Sequence, residues 1–463
     1  MLELCAFLVL AFVLYASCLH GQAVFDDVVT IVSNAQIMAG DWKHRDSLFN
    51  WRGLTRMTYA LNVKLFGNDS FSFHVTNVVF HAINGFLVFQ IAQQSGLDKE
   101  GAFFSGLIFV AHPLAVSAVA YLSARSVLLS SMFGFIAILA LLSGYWLLTI
   151  PALILAIWAK EDAAILPVLL ALLAYSENYF FWWLFLWIPL ILAFKRRVQI
   201  RELLTHNGKQ GLDSAGLQRQ FPQPWYSITS FTETMIRFPL WCIGVGQNND
   251  PDIEIPSKAR VFRAVLAFMG VTAALFFAAP AVRVPLLLVC VSPVVLYWFF
   301  PMPDAVMEYR AYASLAGIAV LFALLLSSFP VWAGTSLLLY FGYRTFKRAF
   351  DYQTPLAYWL GCVRDGSEKN QRVLTNIGAS YQLNGDFEMA KRWFQRALDV
   401  NPNIGPAMAN LALMEWRAGS AQKAVEILEN CVQRCPDYEM GRQGLAQVKQ
   451  VLASGQLPES ARA

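Results

Sequence analysis

The chain has 463 residues, 57% of them hydrophobic and only 14% charged, with a formal net charge of +4. That much apolar side chain reads as a membrane protein with many spans. No basic run is interleaved with aromatics, which excludes a nucleic-acid groove and leaves membrane lipids as the expected surroundings.

Taken in order, the segment from Met1 to Leu19 is long enough to cross a bilayer. It lacks the basic n-region and small-residue cleavage site of a secretory leader, so it reads as a retained span. Apolar runs predict helices near 3–19, 73–94, 102–121, 127–147, 149–175, 179–194, 259–278, 284–300, 311–328 and 331–343. The 149–175 run breaks in two at its charges, which gives eleven spans in all. An odd number puts the termini on opposite sides and the loops near 20–72 and 195–258 on the C-terminal side. Those loops hold Arg45, Arg52, Arg56, Lys195, Arg196, Arg197 and Arg201, so charge bias by itself would turn them toward the cytoplasm.

The first loop opens with Val24-Phe25-Asp26-Asp27. Two adjacent carboxylates at a lipid boundary crowd like charges and push one pKa up, which suits proton transfer or ligand binding. The plainer reading is a helix start signal after the span. Leu54, Met57, Leu61 and Leu65 then recur at roughly helical spacing between Asp41 and Phe66, predicting an amphipathic helix on the membrane surface. A second such candidate runs from Ile228 to Ile243 and ends at the polar stretch Gln247 to Asp252.

Charged and imidazole groups inside apolar runs are costly, so each is a site candidate. His74, Asn77 and His81 fall at i, i+3 and i+7 on one helical face. Each alone would read as an interhelical hydrogen-bonding group. His112-Pro113 introduces a break, and Arg125 stands alone between two apolar runs, either as a snorkelling anchor or as a phosphate grip. Lys160-Glu161-Asp162 interrupts an apolar stretch and predicts two short helices meeting at a polar junction. Asp304, Glu308, Tyr309 and Arg310 gather charge again between two later runs.

The C-terminal part changes character. At a shift of 34 residues Gly378 meets Ala412, Gly385 meets Gly419, Ala390 meets Ala424 and Pro402 meets Pro436, which is the tetratricopeptide period. The organisation reads as a transmembrane domain over 1–343 and a connecting segment over 344–369 containing a degenerate half-repeat. Repeats with a capping helix follow over 370–453, and a flexible tail over 454–463. Such a solenoid holds a peptide or partner protein. Cys362, Cys431 and Cys435 lie in this region and would be free to pair if it is extracytosolic.

Acids at one end and cations at several others suit a ligand with an apolar tail and an anionic phosphate head, such as a polyprenyl-phosphate sugar. In an inverting sugar transfer a carboxylate deprotonates the acceptor hydroxyl while cations receive the departing phosphate. No His/Cys metal spacing is visible, and no cofactor is expected beyond the lipid-linked sugar.

In order and spacing these pieces resemble the transmembrane, tetratricopeptide-repeat-containing O-mannosyltransferases of GT-C fold. The pieces are Phe25-Asp26-Asp27, Trp51-Arg52-Gly53-Leu54-Thr55, His74-Val75-Thr76-Asn77 with His81, Ala111-His112-Pro113 with Arg125, Lys160-Glu161, and Glu308-Tyr309-Arg310-Ala311-Tyr312. The resemblance implies an all-α membrane bundle that moves a sugar from a polyprenyl phosphate to a hydroxyl, on a protein Ser or Thr recruited by the repeats. Asp26 would be the base and Asp27 its acidic neighbour. Arg125, Lys160 and Arg310 would receive the donor phosphate, and Arg52, His74, Asn77, His81, His112, Glu161, Asp162 and Glu308 would support them. The resemblance also implies a site and repeats on the extracytosolic side, against the charge count: the periplasm for a bacterial inner-membrane protein, the lumen for a eukaryotic one. Gly53 stands where the family pattern has proline, and two full repeats resemble a bacterial member more than the longer eukaryotic ones. Two rivals remain open at this point: a non-catalytic anchored scaffold for an envelope or pilus assembly, and a lipid-linked sugar flippase.

Overall fold

The computed structural model describes residues 2–44, 52–176, 225–252, 256–277, 280–290 and 306–454. Among them there is no strand; every regular element is helical. The chain forms two compact units. Of the described residues, the first comprises those within 1–210, 222–249 and 254–357, and the second 250–252 and those within 358–463.

The first unit is built around the helix Ser70–Gln94, which packs against Leu2–Tyr15, Lys99–Ala111 and Arg125–Leu142. Small residues set these close crossings: a Cβ on Gly106 would lie 2.5 Å from the Phe7 ring, and one on Gly85 would lie 2.5 Å from Val110. The His112-Pro113 break is real. Lys99–Ala111 and Pro113–Val119 meet at 48°, because proline cannot continue the hydrogen-bond ladder of the preceding helix. The junction at Lys160 is real as well: Trp146–Ala159 stops there with Lys160 extended (φ −156°, ψ 136°), and a 3-10 turn over Glu161–Ile165 leads into Leu166–Ser176.

The span count differs from the expected eleven. Among the described residues only Ser70–Gln94 and Leu122–Leu142 are long and apolar enough to cross a bilayer, or three if the bent 99–119 pair counts as one span. Of the other apolar runs, 259–278 folds as the 20-residue helix Lys258–Phe277, which is long enough but not apolar enough, and others fold as shorter pieces. Leu2–Tyr15 and Trp146–Ala159 have 14 residues each and Leu315–Leu326 has 12. At 1.5 Å per residue these reach about 18–21 Å, short of the roughly 30 Å hydrocarbon core. Val331–Ala349 is amphipathic and ends in Lys347 and Arg348, so it is no uniform span either. The expected 179–194 run and most of 284–300 lie outside the described residues. The first expected amphipathic helix is present as Gly53–Phe66, the second as Trp225–Cys242.

In the second unit the helices Gln371–Leu383, Phe387–Val400, Gly405–Arg417 and Ala421–Arg434 form two antiparallel pairs, and Glu439–Ser454 closes the stack. Leu374, Ala390, Phe394, Ala397, Ile404, Ala407 and Met414 make its core. Gly378 is required by approach: a Cβ there would meet the Phe394 ring at 2.6 Å. The segment at Asp250 joins this unit through a 2.7 Å ion pair to Arg372 and a hydrogen bond from Asn370. Cys362, Cys431 and Cys435 are buried, and no disulfide joins them in this structure.

Candidate active site

The acid pair divides its labour. The Asp27 side chain is fully buried. Its Oδ2 accepts from the Val24 amide at 3.1 Å, and its Oδ1 accepts from the Ser123 amide at 2.7 Å and from the Ser123 hydroxyl. Burial pushes this carboxyl up to about 7, although those donors pull the other way. Asp26, one residue earlier, is exposed, and its amide donates to the Tyr121 hydroxyl at 3.1 Å. Phe25 is held at φ +48°, a left-handed conformation that costs an aromatic residue about 1–3 kcal/mol and persists only where its surroundings fix it. Those surroundings are the Asp27 bonds and the Tyr121 ring, stacked 6.4 Å from that of Phe25.

The cationic side starts at Lys160, which is 4% exposed. Its Nζ pairs with Asp162 at 2.6 Å and lies 5.1 Å from the centre of the Tyr309 ring. Burial lowers the Lys160 pKa, and Asp162 partly restores it. The Arg310 guanidinium also stands over Tyr309, 5.9 Å from its ring centre. Glu161 turns away from this group and takes the guanidinium of Arg52, with Arg52 Nε donating at 2.9 Å and a second N–H to the other oxygen. Burial alone would raise the Glu161 carboxyl, yet Arg52 holds it below its usual range. Arg52 itself sits at φ +57°, and the helix Gly53–Phe66 that follows is pinned to the junction by Thr55 donating to the Ala159 carbonyl at 2.9 Å.

One wall joins the two sides. Tyr121 contacts Phe25 on the acid loop and lies 6.2 Å from Tyr309 on the cationic side. On the cationic side a cleft is lined by Lys160, Asp162, Arg310, Ser130, Ser131 and the apolar Val127, Phe135, Ile138, Leu166 and Leu288. Ile138, Leu166 and Leu288 also line a second, apolar groove with Leu170, Leu173, Val284 and Leu287. The charged lining of the first cleft and the apolar lining of the second therefore adjoin.

Other expected site residues are spent on interior ties. Arg125, expected at a donor phosphate, is fully buried. Its Nε donates to Asn77 Oδ1 at 2.8 Å, and its remaining nitrogens donate to Asn62 Oδ1 and the Thr58 and Phe73 carbonyls. The Tyr59 ring stacks on it at 4.5 Å, so the guanidinium has no open face for a ligand. Asn77 donates to the Val119 carbonyl. The Nε2–H of His81 donates to the Val110 carbonyl at 3.2 Å, which leaves its Nδ1 to accept from Tyr312 at 2.8 Å. His112 accepts from the Leu114 amide and donates to the Cys242 carbonyl at 3.0 Å, capping the break it introduces. His74 is buried beside Gly21. Glu308 is buried and accepts from Arg348 at 2.5 Å. Sequence reasoning missed Tyr121, Ser123 and Arg348. Only Arg348 carried a signal, as a cation at the end of an amphipathic helix; a Tyr or Ser in an apolar run looks like any other.

The tetratricopeptide repeat model matches residues 372–404. A protein O-mannosyl-transferase of Caenorhabditis elegans, F38B6.6, is 30% identical over 149 residues, 28% of this chain and 21% of the relative. Drosophila melanogaster Tmtc1 is 30% identical over 175 residues, 33% of this chain and 20% of the relative. Human TMTC1 is 28% identical over 142 residues, 27% of this chain and 16% of the relative. The matched stretch thus spans about a fifth of the length of these curated relatives. Over that stretch this chain is similar to the protein O-mannosyl-transferases, and it shares with the wider repeat proteins a tetratricopeptide unit.

Proposed function

We propose that this protein is an integral membrane glycosyltransferase of GT-C type. It transfers a sugar, mannose by analogy with its relatives' names, from a polyprenyl phosphate to a protein hydroxyl with inversion. Asp26 takes the proton of the acceptor Ser or Thr as its oxygen bonds to the anomeric carbon. The bond from that carbon to the phosphate oxygen breaks, and Lys160 and Arg310 receive the charge that develops there. Asp27 and Ser123 hold the loop that presents Asp26, and Tyr121 fixes its backbone. Arg125 ties together Asn77, Asn62 and neighbouring backbone instead of touching the donor. Because two cations stabilise the leaving phosphate, the reading calls for no metal. The acid loop faces the extracytosolic side, and the repeats recruit the acceptor protein.

The observation that carries this reading is the shared aromatic wall, Phe25–Tyr121–Tyr309, with the exposed acid at one end and Lys160 and Arg310 above an apolar groove at the other. The test is transfer from polyprenyl-phosphate mannose to a Ser/Thr peptide by purified protein. Asp26→Asn lowers kcat by about 10²–10⁴-fold, the usual worth of a general base. An unchanged kcat in that variant rejects the assignment.

A further inference from the structure

We infer that Arg348, outside every motif read from the sequence, is a positioning residue that sets the place of Arg310 by gripping Glu308. The inference rests on the reading of Arg310 as a phosphate ligand. Arg348 lies in the last turn of Val331–Ala349 and is 5% exposed; Glu308 is 1% exposed. The Arg348 guanidinium donates to Glu308 Oε1 at 2.5 Å, to the Pro113 carbonyl at 3.0 Å and to Asn249 Oδ1 at 3.3 Å. The Pro113 carbonyl belongs to the break at 112–113, and Thr345, one turn before Arg348, accepts the neighbouring task by donating to the Ala111 carbonyl at 2.6 Å. Asn249 is itself fixed by the Tyr352 hydroxyl at 2.7 Å.

Glu308 begins the 3-10 turn Glu308–Ala311, whose next two residues are Tyr309 and Arg310. A turn of four residues has little internal rigidity, so its placement depends on its anchors. Glu308 is the charged anchor, and Arg348 is what holds it. A planar fork satisfying three acceptors at once fixes direction as well as distance, which a lysine cannot reproduce. Displacing the turn by even an ångström would carry Arg310 and the ring of Tyr309 away from the cleft.

The test titrates the full-length protein in detergent with decaprenyl phosphate and with decaprenol, its uncharged counterpart. Arg310→Ala removes most of the preference for the phosphate. Arg348→Gln lowers that preference about tenfold while decaprenol binds as before, because the apolar groove is untouched. Arg348→Lys, offered in case the Gln variant folds poorly, falls between Arg348→Gln and the natural protein. Adding Glu308→Gln to Arg348→Gln does not restore the preference, although it recovers thermal stability by removing a lone buried carboxylate. A merely structural role would weaken both lipids together or neither, and either result overturns the inference. If Arg348→Gln keeps the full preference while Arg310→Ala loses it, the positioning role fails and the donor site stands. If Arg310→Ala also keeps it, the donor site fails and takes the positioning role with it.

Discussion

At the scale of residues, two adjacent aspartates of identical chemistry end in opposite surroundings, and this separation underlies the proposed mechanism. Asp27 is buried and protonates readily, its pKa raised from 3.8 to about 7 mainly by desolvation. The sign of the consequence follows from proton counting. Between about pH 4 and pH 7 the folded protein holds a proton on Asp27 that the unfolded chain has released, so this group's contribution to stability falls as pH rises through that window. Asp27→Asn, which cannot ionise, flattens the dependence. A thermal melt series across that range shows a smaller fall in Tm for the variant, and an equal fall would remove Asp27 from the account. Arg125 makes the complementary point about cations. Its four hydrogen bonds to interior acceptors mean that Arg125→Lys loses the fork and strands buried carbonyl and amide oxygens, costing about 3–5 kcal/mol of stability. The variant shows this as a lowered melting temperature, with decaprenyl phosphate affinity little changed in the folded fraction. The opposite pattern would return Arg125 to the donor site. Residue type and spacing marked Asp26, Lys160 and Arg310 in the sequence. They also marked His81, His112 and Asn77, because an intramembrane polar group looks the same whether it meets a ligand or a carbonyl on the next helix.

At the scale of elements, breaks were more legible than lengths. His112-Pro113 and Lys160-Glu161-Asp162 announced their junctions through chemistry that no continuous helix tolerates. Hydropathy alone does not distinguish a span from a 12- or 14-residue helix packed inside the bundle, which is how Leu315–Leu326 and Trp146–Ala159 came to be counted as spans. The repeats were legible because the 34-residue period is a packing constraint written into small residues. Helix starts at Gln371, Gly405 and Glu439 follow it, as do those at Phe387 and Ala421. Gly378→Val tests that constraint. With a Cβ 2.6 Å from the Phe394 ring, overpacking costs about 1–3 kcal/mol, seen as faster amide exchange in Gln371–Val400 of the full chain. Unchanged exchange there would show that the helix pair relaxes at no cost.

At the scale of the whole molecule, the proposed site draws on segments far apart in the chain. The acid loop and the Lys160 junction lie more than a hundred residues apart in the chain. A chain of aromatic rings links them: Tyr121 and Ser123, which follow the bent 99–119 pair, bind the loop, and Tyr121 lies 6.2 Å from Tyr309, whose ring centre is 5.1 Å from Lys160 Nζ. No pattern in a single sequence specifies that Tyr121 reaches Tyr309, since the contact depends on the angle at which the helices cross. The claim that this wall unites a base with a lipid-phosphate site has one direct measurement: sugar transfer from polyprenyl-phosphate mannose to peptide, by the natural protein and by Asp26→Asn prepared in parallel. The account predicts mannosylated peptide that depends on the lipid donor and nearly vanishes in the variant while decaprenyl phosphate still binds. Equal transfer by both proteins, or transfer by neither while the donor is bound, would contradict it.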